Sequence, residues 1–301
     1  MHAVFAIEPE AVNNWDDLRY ALEKFGYSKG LLVARFPSRW MAMVMEACRK
    51  NGLGEMELKR IEEKLRLAKD DRIVRIGLPF EGADWLNNAE SEFVRGVLYG
   101  VLVKNKVEDV FFHCLADVNE DLFNNHNEMR VKRSACALAE AARYVMFSSQ
   151  RIALVDPYFE ARLRCCKVLR AMIDLCRKSG HWLAEITVYT AQSTGRRSLS
   201  HDANTYHKLL ADWLRDDIKL RVVLLPVESM DEDFHARYLF NQRAGLRFDR
   251  GFVEPEDHDQ REHLTDVVCL SDARVEELNS RYLDEASLIS GAETIFLPLV
   301  D

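Results

Sequence analysis

The second half of the chain alternates apolar strand patterns with amphipathic helix patterns, and this alternation restricts the fold more than any other feature. Strands are predicted at 151–155, 184–190 and 220–227, with helices at 160–178 and 201–217. Strands joined through helices run parallel, because the helix returns the chain to the same end of the sheet. The pattern therefore predicts an α/β fold with a mostly parallel sheet flanked by helices.

Weaker patterns complete this region and set its boundary. A strand-like run at 235–240 is expected to form a hairpin with 245–248. Further elements are predicted as a helix at 134–147, a strand at 264–270 and a helix at 272–283. The Asn-rich segment 117–133 is typical of a loop or hinge. We therefore expect an N-terminal α/β region, 1–130, followed by a second α/β domain, 131–301.

Composition limits the kinds of partner. The chain has 41 Lys and Arg against 49 Asp and Glu, a net charge of -8. This balance excludes a protein whose whole surface is strongly basic for binding nucleic acid, but it does not exclude a local basic patch. Its seven cysteines include no C-x-x-C pair, which favours reduced thiols in a cytoplasmic protein. Neither a signal-peptide pattern nor an apolar stretch of 18 residues is present, so no membrane association is expected.

Polar residues follow the predicted strands at their carboxyl ends, where open α/β sheets bind ligands. Asp156 follows the first strand, Ser193 the second and Glu228 the third. His235 and Arg237 are two residues apart, so on a strand they face the same side. An imidazole beside a guanidinium suits a phosphate, because one can attack or move a proton while the other binds two oxygens.

Each of these residues also has a simpler structural interpretation. Asp156, followed by proline, is an equally suitable cap for the helix at 160–178, and His235 with Arg237 could lie on a solvated strand edge. Arg196 and Arg197, near Ser193, could contact phosphates or could be ordinary surface arginines. The acidic run at 256–259 has ligand types but is more typical of a solvated loop. We therefore predict neither a metal nor another cofactor.

The segment 234–252, FHARYLFNQRAGLRFDRGF, resembles the signature of the phospholipase D superfamily. That signature is His-x-Lys, then four residues and an Asp, then a Gly-Ser-x-Asn turn. Here the Lys position holds Arg237 and the Asp position holds Gln242, so Asp249 is the candidate replacement for the acidic residue. The turn is replaced by Asp-Arg-Gly-Phe at 249–252.

The resemblance implies a metal-independent phosphodiesterase, directed at nucleic acid and related to nucleases of bacterial defence systems. In that family one histidine attacks phosphorus and a second protonates the leaving oxygen. The resemblance assigns catalysis to His235, Arg237 and Asp249. Phosphate binding or orientation is assigned by position, after the predicted strands, to Asp156, Glu228, Ser193, Arg196 and Arg197. With one motif per chain, catalysis requires a homodimer that brings two copies of His235 together. The alternative is a non-catalytic scaffold or phosphate-sensing subunit of a defence complex.

Overall fold

The chain is organised around two separate β-sheets. The computed structural model describes residues 2–107, 112–192, 198–214, 218–226, 236–284 and 291–297. The chain divides into two units, 2–127 and 128–301, each with its own sheet. The sequence had placed this boundary between residues 130 and 131. Within the described ranges, every helix is too short or too polar to cross a membrane.

The N-terminal unit contains a parallel sheet of five strands in the order β3-β2-β1-β4-β5. The strands are β1 (Ala3–Ile7), β2 (Leu31–Ala34), β3 (Ile73–Val74), β4 (Gly100–Val103) and β5 (Phe112–Cys114). The helices are α1 (Trp15–Lys24), α2 (Trp40–Lys50), α3 (Glu55–Asp71) and α4 (Trp85–Val94). Every residue of β1 is buried, as expected for a central strand covered on both faces.

Local sequence signals explain where the first helix of this unit begins and how it packs. The Asn14 side chain accepts the N–H of Asp17, which caps the start of α1. Leu18 and Leu22 lie one turn apart, and both are fully buried in the core with Phe5 and Trp40. This apolar core is confined to the N-terminal unit.

The C-terminal unit contains a mixed sheet of eight strands in the order β13-β9-β8-β7-β10-β11-β12-β6. The strands are β6 (Glu128–Lys132), β7 (Arg151–Val155), β8 (Glu185–Ala191), β9 (Lys219–Leu225), β10 (Arg237–Phe240), β11 (Gly245–Phe248), β12 (Leu264–Cys269) and β13 (Glu293–Leu297). The helices are α5 (Ala135–Phe147), α6 (Leu163–Lys178), α7 (Leu199–Leu214), α8 (His258–Glu262) and α9 (Asp272–Leu278).

The α/β class is confirmed, but the expectation of a mostly parallel sheet in this unit is wrong. β7, β8 and β9 are parallel neighbours, as their helical connections predict. The other described pairings in this sheet are antiparallel. The short loop between β10 and β11 accounts for the pairing of these two strands, since a connection of that length can join only antiparallel strands. β6 also corrects the predicted loop at 117–133, because its five residues pair with β12.

Helices cover one face of the C-terminal sheet along α5, α6 and α7, which pack in sequence against one another. On the opposite face, α9 contributes Val275 and Leu278 to a cluster with Val155 and Tyr189. α9 covers the part of that face near the carboxyl ends of β7, β8 and β9, where its partners in the cluster lie. All seven cysteines are unpaired, and burial raises the pKa of Cys166 and Cys176 to about 12, so these thiols stay protonated.

Candidate functional site

The carboxyl end of β7 is closed by the buried side chain of Asp156. This side chain is 1% exposed, and its two oxygens accept different backbone N–H groups. Oδ1 accepts the N–H of Tyr158 at 2.9 Å, while Oδ2 accepts the N–H of Phe252 at 3.0 Å. Asp156 therefore joins the turn after β7 to the loop after β11. It does not cap α6, which begins at Leu163 after Arg162.

Arg237 lies beside Asp156 because β10 runs antiparallel to β7. Tyr238 is the register partner of Val155, so the preceding residue of β10 meets the residue that follows β7. The Arg237 Nη1 donates to the backbone carbonyl of Asp249 at 2.8 Å. Its guanidinium carbon lies 5.2 Å from the centre of the Tyr158 ring, within cation–π range. These two contacts fix a half-buried cation at this edge of the sheet.

Gly251 makes this close arrangement possible. Its φ of 73° lies in the left-handed region, which side chains other than glycine rarely adopt. A Cβ at this position would lie 2.5 Å from the Asp156 Oδ2 and 3.1 Å from the Arg237 Cδ. The glycine thus permits the loop to approach Asp156 closely enough for the hydrogen bond from Phe252.

The electrostatics of Asp156 are dominated by its burial, which raises the pKa of the carboxyl above its ordinary value of 3.8. The N–H groups of Phe252 and Tyr158 and the charge of Arg237 act in the opposite direction. Both carboxyl oxygens are already used by backbone donors, so the residue is a positioning group for the edge. We name Asp156, Tyr158, Arg237 and the loop 249–252 the carboxyl-edge site.

A cavity of about 570 Å³ lies beyond the carboxyl ends of the parallel strands. Its lining includes Tyr158, Arg162, Thr190, His201, Asp202 and Leu224. Tyr158 belongs both to this cavity and to the carboxyl-edge site, so Arg237 lies next to the cavity wall. The volume falls within the range of ligand pockets, which is about 300–1,000 Å³. The location agrees with the rule that open α/β sheets bind ligands at this edge.

His201 is a candidate functional residue that the sequence analysis missed. It lies in the first turn of α7, where its backbone N–H donates to the Ser198 side chain at 3.3 Å. Its side chain is exposed and lines the cavity. The signal that could have identified it is topological, because the helix after a parallel strand begins at the strand's carboxyl edge. No residue motif around His201 marks it otherwise.

The structure places only some of the predicted site residues. Asp156 and Arg237 are adjacent, whereas His235, Glu228, Ser193, Arg196 and Arg197 lie outside the described residues. The Asp249 side chain is 63% exposed and its Oδ2 is 3.4 Å from the Nε of Arg250. Asp249 therefore contacts Arg237 through its backbone carbonyl. Gln242 follows β10 at the opposite edge of the sheet.

The acidic run at 256–259 forms local structure in the described part of the chain. The Asp257 side chain accepts the N–H of Asp259 at 2.9 Å and so caps α8. Among all described residues, no group of three or more His, Cys, Asp or Glu side chains is arranged to hold a metal ion. Asp257 thus has a structural partner within its own segment.

Comparison with known proteins adds no family to this description. No protein-family model matches the chain, and no curated protein matches it. The resemblance to the phospholipase D superfamily therefore rests on the sequence of 234–252 and on the strand–helix pattern before it.

Proposed function

We propose that the carboxyl-edge site binds a phosphodiester and that the protein hydrolyses it. The observation that carries this proposal is the position of Arg237 beside a cavity at the carboxyl ends of three parallel strands. A guanidinium can bind two phosphate oxygens at once, and its contacts with Asp249 and Tyr158 orient it before the substrate arrives.

The proposed chemistry uses two imidazoles. His235 precedes Arg237 by two residues, and His201 lines the neighbouring cavity. A neutral nitrogen of His235 forms a bond to phosphorus while the bond to the leaving oxygen breaks, and that oxygen takes a proton from protonated His201. Water then attacks phosphorus and gives a proton to His201, and the bond to His235 breaks.

Nucleic acid is the substrate class that this site favours. Tyr158 is 55% exposed and lies next to Arg237, so a base could stack on its ring while the guanidinium binds the adjacent phosphate. Stacking on an exposed aromatic ring beside a cation is how many proteins bind single strands without sequence preference. The net charge of -8 makes such a local site more suitable than an extended basic surface.

The test measures hydrolysis of bis(4-nitrophenyl) phosphate, single-stranded DNA and RNA by the full chain. We expect His235→Ala, His201→Ala and Arg237→Gln each to lower the rate about 100-fold or more. His207→Ala is the matched control, because His207 is exposed on the same helix but does not line the cavity. A wild-type protein that hydrolyses none of these substrates would contradict the enzymatic proposal.

One observation favours a second candidate, a non-catalytic phosphate-binding subunit of a defence complex. The motif's acidic position holds Gln242, and the Asp249 carboxylate faces Arg250. In this case a fluorescent oligonucleotide binds without turnover, and Arg237→Gln weakens its binding about 10-fold, the loss expected for one charge-assisted contact. Oligonucleotide binding that is insensitive to Arg237→Gln would contradict both candidates.

A further inference from the structure

A second polar cavity lies at the opposite edge of the C-terminal sheet, near the amino ends of β7, β8 and β9. Its volume is about 850 Å³, and its lining includes Phe147, Arg151, His181, Glu185, Arg221 and Arg243. We name it the amino-edge cavity. The carboxyl-edge site contributes none of its lining residues.

Two of the parallel strands, β7 and β9, each carry an arginine at this end of the sheet. Alternation puts Arg151 on the same face of β7 as Val155, and Arg221 on the same face of β9 as Val223. Val155 and Val223 pack in the cluster with α9, whereas the two arginines line the cavity. Interior strands of a sheet normally carry apolar residues at such positions. Arg221, half-buried on an interior strand, is the unusual position, whereas Arg151 begins β7 with a side chain that is 81% exposed.

The charge of the lining is positive although the chain is acidic overall. Arg151, Arg221 and Arg243 outnumber Glu185, the one acidic residue in the described lining. The Arg243 Nη1 donates to the Ser148 carbonyl at 2.9 Å, which fixes the position of this side chain. The Arg151 Nε lies 3.6 Å from the Glu185 Oε2, just beyond hydrogen-bond distance.

Arg221 has hydrogen-bonding capacity that the described residues do not use. Its Nε is buried and has no hydrogen-bond partner there, and its Nη2 is 3.5 Å from the Tyr189 hydroxyl. A buried N–H without a partner is unfavourable, and a ligand oxygen could satisfy it only if the Arg221 side chain turned this N–H toward the cavity. The observation at Arg221 that favours an anion is its guanidinium in the cavity lining.

One wall of the cavity is aromatic. The rings of Phe147 and His181 stack with their centres 5.3 Å apart, and the His181 Nε2 lies 2.9 Å from the Ser149 carbonyl. Aromatic rings and guanidinium ions in the lining of one cavity suit a molecule with a planar ring and a phosphate. From these contacts we propose that the amino-edge cavity binds a phosphorylated small molecule of nucleotide size, with its phosphate at Arg151 and Arg221.

The experiment measures binding of AMP to the full chain by isothermal titration calorimetry. We expect saturable binding that Arg221→Gln weakens at least 10-fold and that Arg151→Gln weakens about 3-fold, since Arg151 is more exposed. Arg247→Gln, an exposed arginine on β11, is the matched control and keeps the wild-type affinity. Arg237→Gln also keeps it, which separates this cavity from the carboxyl-edge site.

Several outcomes would overturn the proposal. They are the absence of saturable AMP binding, an affinity unchanged by Arg221→Gln, or an affinity that Arg237→Gln lowers as much as Arg221→Gln does. Because Arg221 lies in an interior strand, the melting temperature of each variant is measured without AMP. If Arg221→Gln does not fold, Arg151→Gln decides alone, because its side chain is 81% exposed and contributes little to the core.

Discussion

Gly251 occupies a position where any side chain would meet both Asp156 and Arg237. We expect Gly251→Ala to lower the free energy of unfolding by about 1–3 kcal/mol from its left-handed backbone alone, and by more from the contact with Asp156. Gly180→Ala is the matched control, because its φ is 67° but no atom lies within 4 Å of the added Cβ. In urea denaturation, equal losses for the two variants would contradict the close approach at residue 251.

Asp156 provides a second prediction, based on its titration. Its raised pKa means that the folded state binds more protons than the unfolded state between 3.8 and the folded value. The contribution of Asp156 to the free energy of unfolding therefore falls as pH rises through that window. Asp156→Asn removes this titration, so the stability of wild type minus that of the variant is expected to decrease as the pH rises above 3.8 through the raised pKa. A difference that grows with pH in denaturation experiments would contradict the assigned direction.

The residues of the site could be predicted only in part from the sequence. Asp156 and Arg237 were found because strand ends and strand alternation are local patterns, and the structure brings these two together. The hydrogen bond from Phe252 to Asp156 spans 96 residues, and no local pattern encodes it. His201 was missed because an exposed histidine in a helix has no periodic signal of its own. Its role depends on the position of α7 relative to the sheet.

At the scale of elements, Glu254 connects the start of α5 to a lysine in α6. Its Oε2 accepts the N–H of Ala135, the first residue of α5, at 2.9 Å, and its Oε1 accepts the Lys167 ammonium of α6 at 2.8 Å. Burial raises the pKa of this carboxyl, but the Ala135 N–H, Lys167 and Arg261 outweigh that effect and lower it below 4.5. The carboxylate therefore stabilises the fold at neutral pH, and this contribution is lost as pH falls through the lowered pKa.

We expect Glu254→Gln to lower the free energy of unfolding by about 1–3 kcal/mol at pH 7, since it weakens two charge-assisted hydrogen bonds. The difference from wild type should be smaller at an acidic pH below 4.5, where the carboxyl becomes protonated. Glu256→Gln is the control, because Glu256 is exposed in the same loop. Chemical denaturation at both pH values measures the effect, and a loss that is the same at both would contradict the assigned role of the charge.

Elements with strong apolar periodicity were predictable, whereas the edge strand β6 was not. β7, β8 and β9 are nearly continuous apolar runs, and the structure contains them close to the predicted residues. β6 has the sequence EMRVK, and its residues alternate between exposed and half-buried, so it resembles a polar loop. It is a strand because β12 provides backbone partners and because Arg130 and Lys132 pair with Asp266 and Glu262. Such stabilisation is tertiary and is absent from local sequence.

At the scale of the whole molecule, each unit contains its own apolar core. The N-terminal core is built around Phe5 and Trp40, and the C-terminal cluster around Tyr189 and Phe240. A unit that closes its own sheet and core is expected to fold by itself. We predict that residues 128–301, expressed alone, show a helical circular dichroism spectrum and one cooperative thermal transition. A fragment without a cooperative transition would contradict this independence.

The enzymatic proposal has two forms, which differ in whether one chain or two chains form an active site. The resemblance implies a homodimer that pairs two copies of His235, whereas His201 offers a second imidazole within one chain. If both histidines act from the same chain, His201→Ala and His235→Ala are each inactive, and mixing the two variants restores nothing. If the site pairs two copies of His235, His201→Ala keeps its activity. Activity that appears only on mixing would instead show that His201 and His235 of one active site come from different chains. Sedimentation of the same samples would show whether the chain forms the predicted dimer.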